Sequence, residues 1–225
     1  MKTGTRVFGW AGILVMLAVC VWADPIVTNG DFESVQIGPP FHSSNPADVP
    51  GWAHQGDVGD GLLWAVGYSD PNGSIAVAGH GNQFVTLGGG VNDVGTGSWS
   101  QMVSGFTVGA LYDLRFDIAA EDTGDIQTIV ALVKGIGATT APFTAVGSGG
   151  NYWRDWQAEG LSFTADSTTE TISFSSTTEH DIGLDDVRIT SAVPEPSSAV
   201  LLALAIGAGL LIRRRSHRAP GVDAP

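Results

Sequence analysis

Most of the chemistry available to this 225-residue chain lies in four aromatic residues and a few carboxylates. Trp153 and Trp156, with Tyr152, sit in the polar, glycine-flanked run Asn151-Tyr152-Trp153-Arg154-Asp155-Trp156-Gln157. Trp64 lies beside a long stretch, Gly38 to Gly61, rich in Pro, Gly, Asp and His. Sugars present flat C–H faces, and their sites use aromatic platforms flanked by polar groups for the hydroxyls. These four residues are therefore the carbohydrate-binding candidates, with packing at a sheet edge as the equal alternative. Trp52, after Pro50-Gly51, and Trp99, on an expected strand, read as core.

The carboxylates of interest flank a phase slip. In Ile182-Gly183-Leu184-Asp185-Asp186-Val187-Arg188-Ile189, the pair Ile182 and Leu184 shares one face, and the pair Val187 and Ile189 the other. A β-bulge at Asp185-Asp186 restores both pairs to one core and re-aims a carboxylate, which makes a candidate ligand site. The histidines His42, His54, His80 and His180 lack zinc-ligand helical spacing. There is neither a Gly-x-Ser-x-Gly elbow nor a phosphate loop, so no enzyme is expected. A hydrolase working with two carboxylates is kept as a minor alternative.

The elements that must position these groups are strands. Tyr112, Leu114, Phe116 and Ile118 interleave with Asp113, Arg115 and Asp117, the alternation of a half-buried antiparallel strand. Similar short strands read at Ile26–Glu33, Asn82–Leu87, Gly97–Val103, Ile126–Lys134, Leu161–Thr164, Thr171–Ser175 and Gly183–Thr190. Turn clusters such as Asp70-Pro71-Asn72-Gly73 separate them, and no convincing amphipathic helix interrupts. An all-β antiparallel sandwich of jelly-roll type over 24–191 is the expected fold. Its charge narrows the partners: between Asp24 and Val193 four basic residues face 21 acidic ones. That surface repels phosphate backbones and excludes nucleic acid, leaving divalent cations and neutral polymers. The one cysteine, Cys20, lies outside this region, which excludes disulfides, thiolate metal sites and thiol catalysis in the domain.

Both termini read as addresses. Lys2 and Arg6 precede an apolar run from Val7 to Val21, with small Ala23 at signal-peptidase spacing, so 1–23 is a secretory signal. At the other end Pro194-Glu195-Pro196 leads into an apolar helix, 198–212, closed by Arg213, Arg214 and Arg215. It is short for a span, but serines and snorkelling arginines extend it into a transmembrane helix with a cytoplasmic end. A tail, 219–225, follows.

This order of Pro-Glu-Pro, apolar helix and arginine cluster over 192–218 resembles the bacterial PEP-CTERM sorting signal. The resemblance implies an exosortase partner, membrane anchoring before processing, and delivery to the cell surface or an exopolysaccharide matrix. The first and last expected strands, Val27-Thr28-Asn29-Gly30-Asp31-Phe32-Glu33 and Gly183-Leu184-Asp185-Asp186-Val187-Arg188-Ile189, resemble those of galactose-binding-like jelly rolls, which include carbohydrate-binding modules. There the two ends lie together and a carboxylate from each helps hold a structural calcium ion. The resemblance makes Glu33 and one of Asp185 or Asp186 the ligands, with Asp31 weaker; the alternative is plain solvated acids. Together these imply an exported, noncatalytic, polysaccharide-binding protein, or a structural or adhesive envelope protein whose partners are other proteins.

Overall fold

The alternation at Tyr112 to Ile118 is realised in a computed structural model, which describes residues 24–38, 42–56, 63–65, 78–88, 97–121, 124, 126–147, 153–178 and 181–192. The expected signal peptide, Tyr152, Pro194, Glu195, Pro196, the helix 198–212, Arg213 to Arg215 and the tail lie outside these residues. Among the described residues no helix is long and apolar enough to cross a membrane.

Eleven strands are present among them: β1 (His42–Ser43), β2 (Ala53–Gln55), β3 (Leu63–Ala65), β4 (Gln83–Leu87), β5 (Ser98–Ser104), β6 (Leu111–Ala120), β7 (Ile126–Lys134), β8 (Ala138–Val146), β9 (Gln157–Thr164), β10 (Thr169–Ser176) and β11 (Ile182–Ser191). They form two antiparallel sheets, of six strands in the order β1-β3-β4-β11-β6-β9 and five in the order β2-β5-β10-β7-β8. The main core lies between them. Leu114, Phe116 and Ile118 from β6 meet Trp99, Ile129, Ile172 and Phe174 from the other sheet, all within 1% of full burial. Trp52 and Trp99 belong to this core, as their sequence context implies.

Two expectations need correction. Ile26–Glu33 is not a strand: Asn29 and Phe32 both take positive φ, 51° and 55°, which breaks an extended chain. The turn instead drives Phe32 fully into the core. Conversely, Ala138–Val146, absent from the expected strands, is β8. Its Pro142 lacks an N–H, and β8 is the edge of its sheet, where a strand tolerates that loss.

The irregular first segment still meets the last strand. Asp24 Oδ1 accepts from Ser191 N at 2.7 Å, and Gly30 O accepts from Val187 N at 2.8 Å. A Cβ on Gly30 would lie 2.0 Å from the Val187 carbonyl oxygen, so only glycine fits there. Gly30→Ala is expected to cost at least about 2 kcal/mol of unfolding free energy, read by urea denaturation. Wild-type stability in that variant would mean that the segment does not dock on β11.

The expected bulge is present. Asp185 pairs with Asp117 and Arg188 with Arg115, leaving Asp186 and Val187 opposite Phe116 alone. Asp186 takes φ 47°, and the extra residue returns Val187 and Ile189 to the core beside Ile182 and Leu184.

Candidate functional site

The bulge separates two neighbouring carboxylates into different environments. Asp185 is fully buried, whereas Asp186 is half-buried and pairs with the Arg188 guanidinium. The Asp185 carboxylate accepts from His80 N and from Asp186 N, both at 2.7 Å. Glu33 Oε1 accepts from Asn82 N and, at 2.7 Å, from Gln83 N, while its Oε2 accepts from Gln36 Nε2 at 2.8 Å. The turn before β4 thus offers backbone N–H groups to both carboxylates. Glycine is required where it approaches them: at Gly81, φ 64°, a Cβ would sit 2.3 Å from Glu33 Oε1.

Burial pushes the Asp185 carboxyl up to about 8, and the charges of Asp117 and Glu33 add to the shift; the amides of His80 and Gly79 oppose it. Asp31 is exposed and only caps Glu33 N, at 3.4 Å. The carboxylates expected from the chain's two ends therefore converge through Glu33 and Asp185. Asp186 joins a different group, with His80 and Asp117, whose ligand atoms all lie within 4.8 Å of one another. His80 and Asp117 were not among the sequence candidates. The available signal was the run of small residues beside them: Gly79, Ala119 and Gly183 mark a nominally outer face that something covers.

That cover is the tryptophan segment. Trp153 is 1% exposed and Trp64 6%, and with Phe84 and Ala119 they form a second core on the outer face of the six-stranded sheet. Ring centroids are 4.9 Å apart for Trp64 and Trp153, and 5.3 Å for Phe84 and Trp156. Gly183 makes this possible, since a Cβ there would lie 2.9 Å from both Trp153 and Trp156 ring atoms. Gly79 brings the cover against the acids: its Cβ position is 3.0 Å from the Trp156 ring and 3.3 Å from Asp185 Oδ2. Trp153 and Trp64 consequently present no ring face to solvent, and the packing alternative kept for these candidates is the one realised here. Trp156 is half-buried in the same packing.

The other sheet has a different exterior. Register pairing aligns Ser98, Ser175, Val130 and Pro142 in one row, and Ser100, Ser173, Leu132 and Thr140 in the next. Met102, Thr171, Lys134 and Ala138 form a third. Lys134 is the single charged residue on this face among the described residues. The only carboxylate in the five strands, Glu170, points inward and is 2% exposed. Rows of hydroxyls and short apolar groups thus repeat at the interstrand spacing of about 4.8 Å.

Comparison with known proteins adds a sorting motif beyond the sandwich. A family model described as the PEP-CTERM protein-sorting motif matches residues 192–215. The chain carries a PEP-CTERM sorting motif. The motif implies export, and it begins directly after β11, where Ala192 N still donates to Leu111 O at 2.9 Å. No curated protein sequence matches the chain. Among solved structures, a family-61 carbohydrate-binding module complexed with β-1,4-galactotriose is 18% identical, with a TM-score of 0.49. The likeness covers 75% of this chain and 99% of that one. A family-4 module shows 18% identity over 74% and 99% of the two chains, TM-score 0.45. The xylan-binding family-22 domain of Xyn10C from Paenibacillus barcinonensis shows 12% over 67% and 91%, TM-score 0.44.

Proposed function

We propose that this exported domain is a noncatalytic module that binds a neutral polysaccharide across the outer face of its five-stranded sheet. The charge contrast between the two sheets carries the reading. The strands of the six-stranded sheet hold Asp113, Asp117, Glu159, Asp185 and Asp186, whereas among the described residues the outward side of the five-stranded sheet has no carboxylate. A neutral chain of hydroxyls and C–H faces meets complementary groups there, with Ser and Thr hydroxyls for hydrogen bonds and Val130, Leu132 and Met102 for apolar contact. Handling of the sorting motif by an exosortase-type enzyme, with membrane anchoring before processing and display at the cell surface or in an exopolysaccharide matrix, completes the reading.

The test is native affinity electrophoresis of the full chain in gels containing xylan, β-1,4-galactan or β-glucan. Retardation by one of them, lost at least tenfold in Met102→Glu/Ser173→Glu with an unchanged circular dichroism spectrum, is the expected result. No retardation in any gel would overturn the sugar reading. A second reading, an adhesive protein with protein partners, is favoured by the exposure of Met102, Ile126 and Val146 on the same face, at 74%, 64% and 49%. Self-association abolished by the same double variant, without retardation, is its signature.

A structural calcium ion held by Glu33 and Asp185 belongs to the proposal. Calcium takes six to eight oxygens and tolerates irregular arrangements. Supporting it are the convergence of two carboxylates from the chain's ends and the electrostatic cost of Asp185 beside Asp117 and Glu33, which a cation offsets. Such an ion would tie the first segment to the last strand.

A further inference from the structure

We propose that His80, Asp117 and Asp186 form a binding site for a borderline divalent transition metal, with zinc(II) as the representative ion, distinct in donor chemistry from the calcium site at Glu33 and Asp185. The three residues come from three elements: the turn before β4, the middle of β6 and the bulge of β11. His80 Nδ1 lies 3.1 Å from Asp117 Oδ2 and 3.7 Å from Asp186 Oδ2. Ligands at zinc bond lengths in a tetrahedron are separated by about 3.3–3.6 Å; the two His80 distances lie on either side of that range, and the two carboxylate oxygens lie within 4.8 Å of each other, a gap that a small side-chain rotation can close. One imidazole nitrogen with two carboxylate oxygens suits zinc, cobalt or nickel, whereas calcium takes oxygen donors and more of them.

The three groups are also held in place without a metal. The His80 main chain is fixed by its N–H on Asp185 Oδ2, Asp186 by the bulge and its positive φ, and Asp117 by its place in β6 opposite Asp185. The His80 side chain remains 57% exposed, so the site opens to solvent and leaves room for water at a fourth position. One group competes: Arg188 pairs with Asp186 Oδ2. Its side chain is 50% exposed, so it can swing away when a cation arrives. Removing that competitor should tighten metal binding, an effect that a chance cluster of acids would not show in parallel with dependence on a histidine.

The test uses the full chain stripped of metal, then titrated with zinc(II) by calorimetry in excess calcium. The calcium keeps the oxygen site saturated, so failure of the calcium reading and failure of this one remain separate. The expected result is one equivalent of zinc, with affinity falling at least tenfold in His80→Ala and rising severalfold in Arg188→Gln. Cobalt(II) should give a visible d–d absorption that His80→Ala abolishes. His80 and Arg188 are both half-exposed or more, so these variants leave the core intact. Absence of zinc binding in excess calcium, or zinc binding and cobalt absorption unchanged in His80→Ala, would overturn the proposal.

Discussion

Trp153→Ala is expected to lower the unfolding free energy by about 3–5 kcal/mol, the usual cost of deleting a buried tryptophan. Its ring is 1% exposed, packs on Trp64 at 4.9 Å and Phe84 at 5.2 Å between centroids, and fills the space above Gly183. Its Nε1 donates to Asp181 O at 3.4 Å; after truncation that carbonyl keeps its bond from Glu121 N at 3.2 Å, so the expected cost is mainly that of the cavity. The cavity would sit between the tryptophan cover and the six-stranded sheet, and the cover helps keep water from Asp185. Polysaccharide retention per folded molecule should stay at the wild-type level, because the proposed binding face is on the opposite sheet. Urea denaturation together with affinity electrophoresis separates the two effects. Unchanged stability with lost retention would restore Trp153 as a sugar platform and remove the case for the carboxylate-free face.

The second large effect concerns acid. In the unfolded chain Asp185 ionises near 3.8; in the calcium-free fold its buried carboxyl is pushed up to about 8. Between these values folding takes up a proton, so this group's contribution to stability is complete below the lower one and is lost as pH rises to the upper one. The slope reaches about 1.4 kcal/mol per pH unit and flattens above pH 8. Denaturation of the chelator-treated protein across this window should therefore show stability falling with rising pH. Excess calcium should flatten the fall, since a bound cation favours the ionised carboxylate. Asp185→Asn should remove this component of the slope, whatever constant penalty its amide brings among the N–H donors. An identical slope in the variant would sink the assignment, and a slope indifferent to calcium would count against the calcium site.

Both predictions turn on features that differ in how far the sequence exposes them. The bulge is readable because period-two geometry is strict: apolar pairs out of phase across Asp185-Asp186 fit one core only if an extra residue intervenes. The same strictness makes β6 and β7 legible. The sorting motif is linear, so its order of residues suffices to identify it. Strand Ala138–Val146 escapes because a proline argues against a strand unless the strand is known to be an edge, and edge position is a property of the whole sheet.

Which polar and aromatic groups meet water is set instead by how the layers pack. A tryptophan in a polar run is open to both a platform role and packing, and Trp153 packs into a second core because Ala119 and Gly183 leave a hollow on the sheet that a ring can fill. Asp117 alternates as a solvent-facing residue should, but the turn bearing Gly79 and His80 and the segment bearing Trp156 pack over that end of the sheet. Burial of this kind depends on layers brought together from positions 80, 117, 153 and 185, and no local pattern encodes their contact. The carboxylate-free face has the same origin: serine and threonine alternate unremarkably along each strand, and become one surface only when register pairing sets the rows of β5, β10, β7 and β8 side by side.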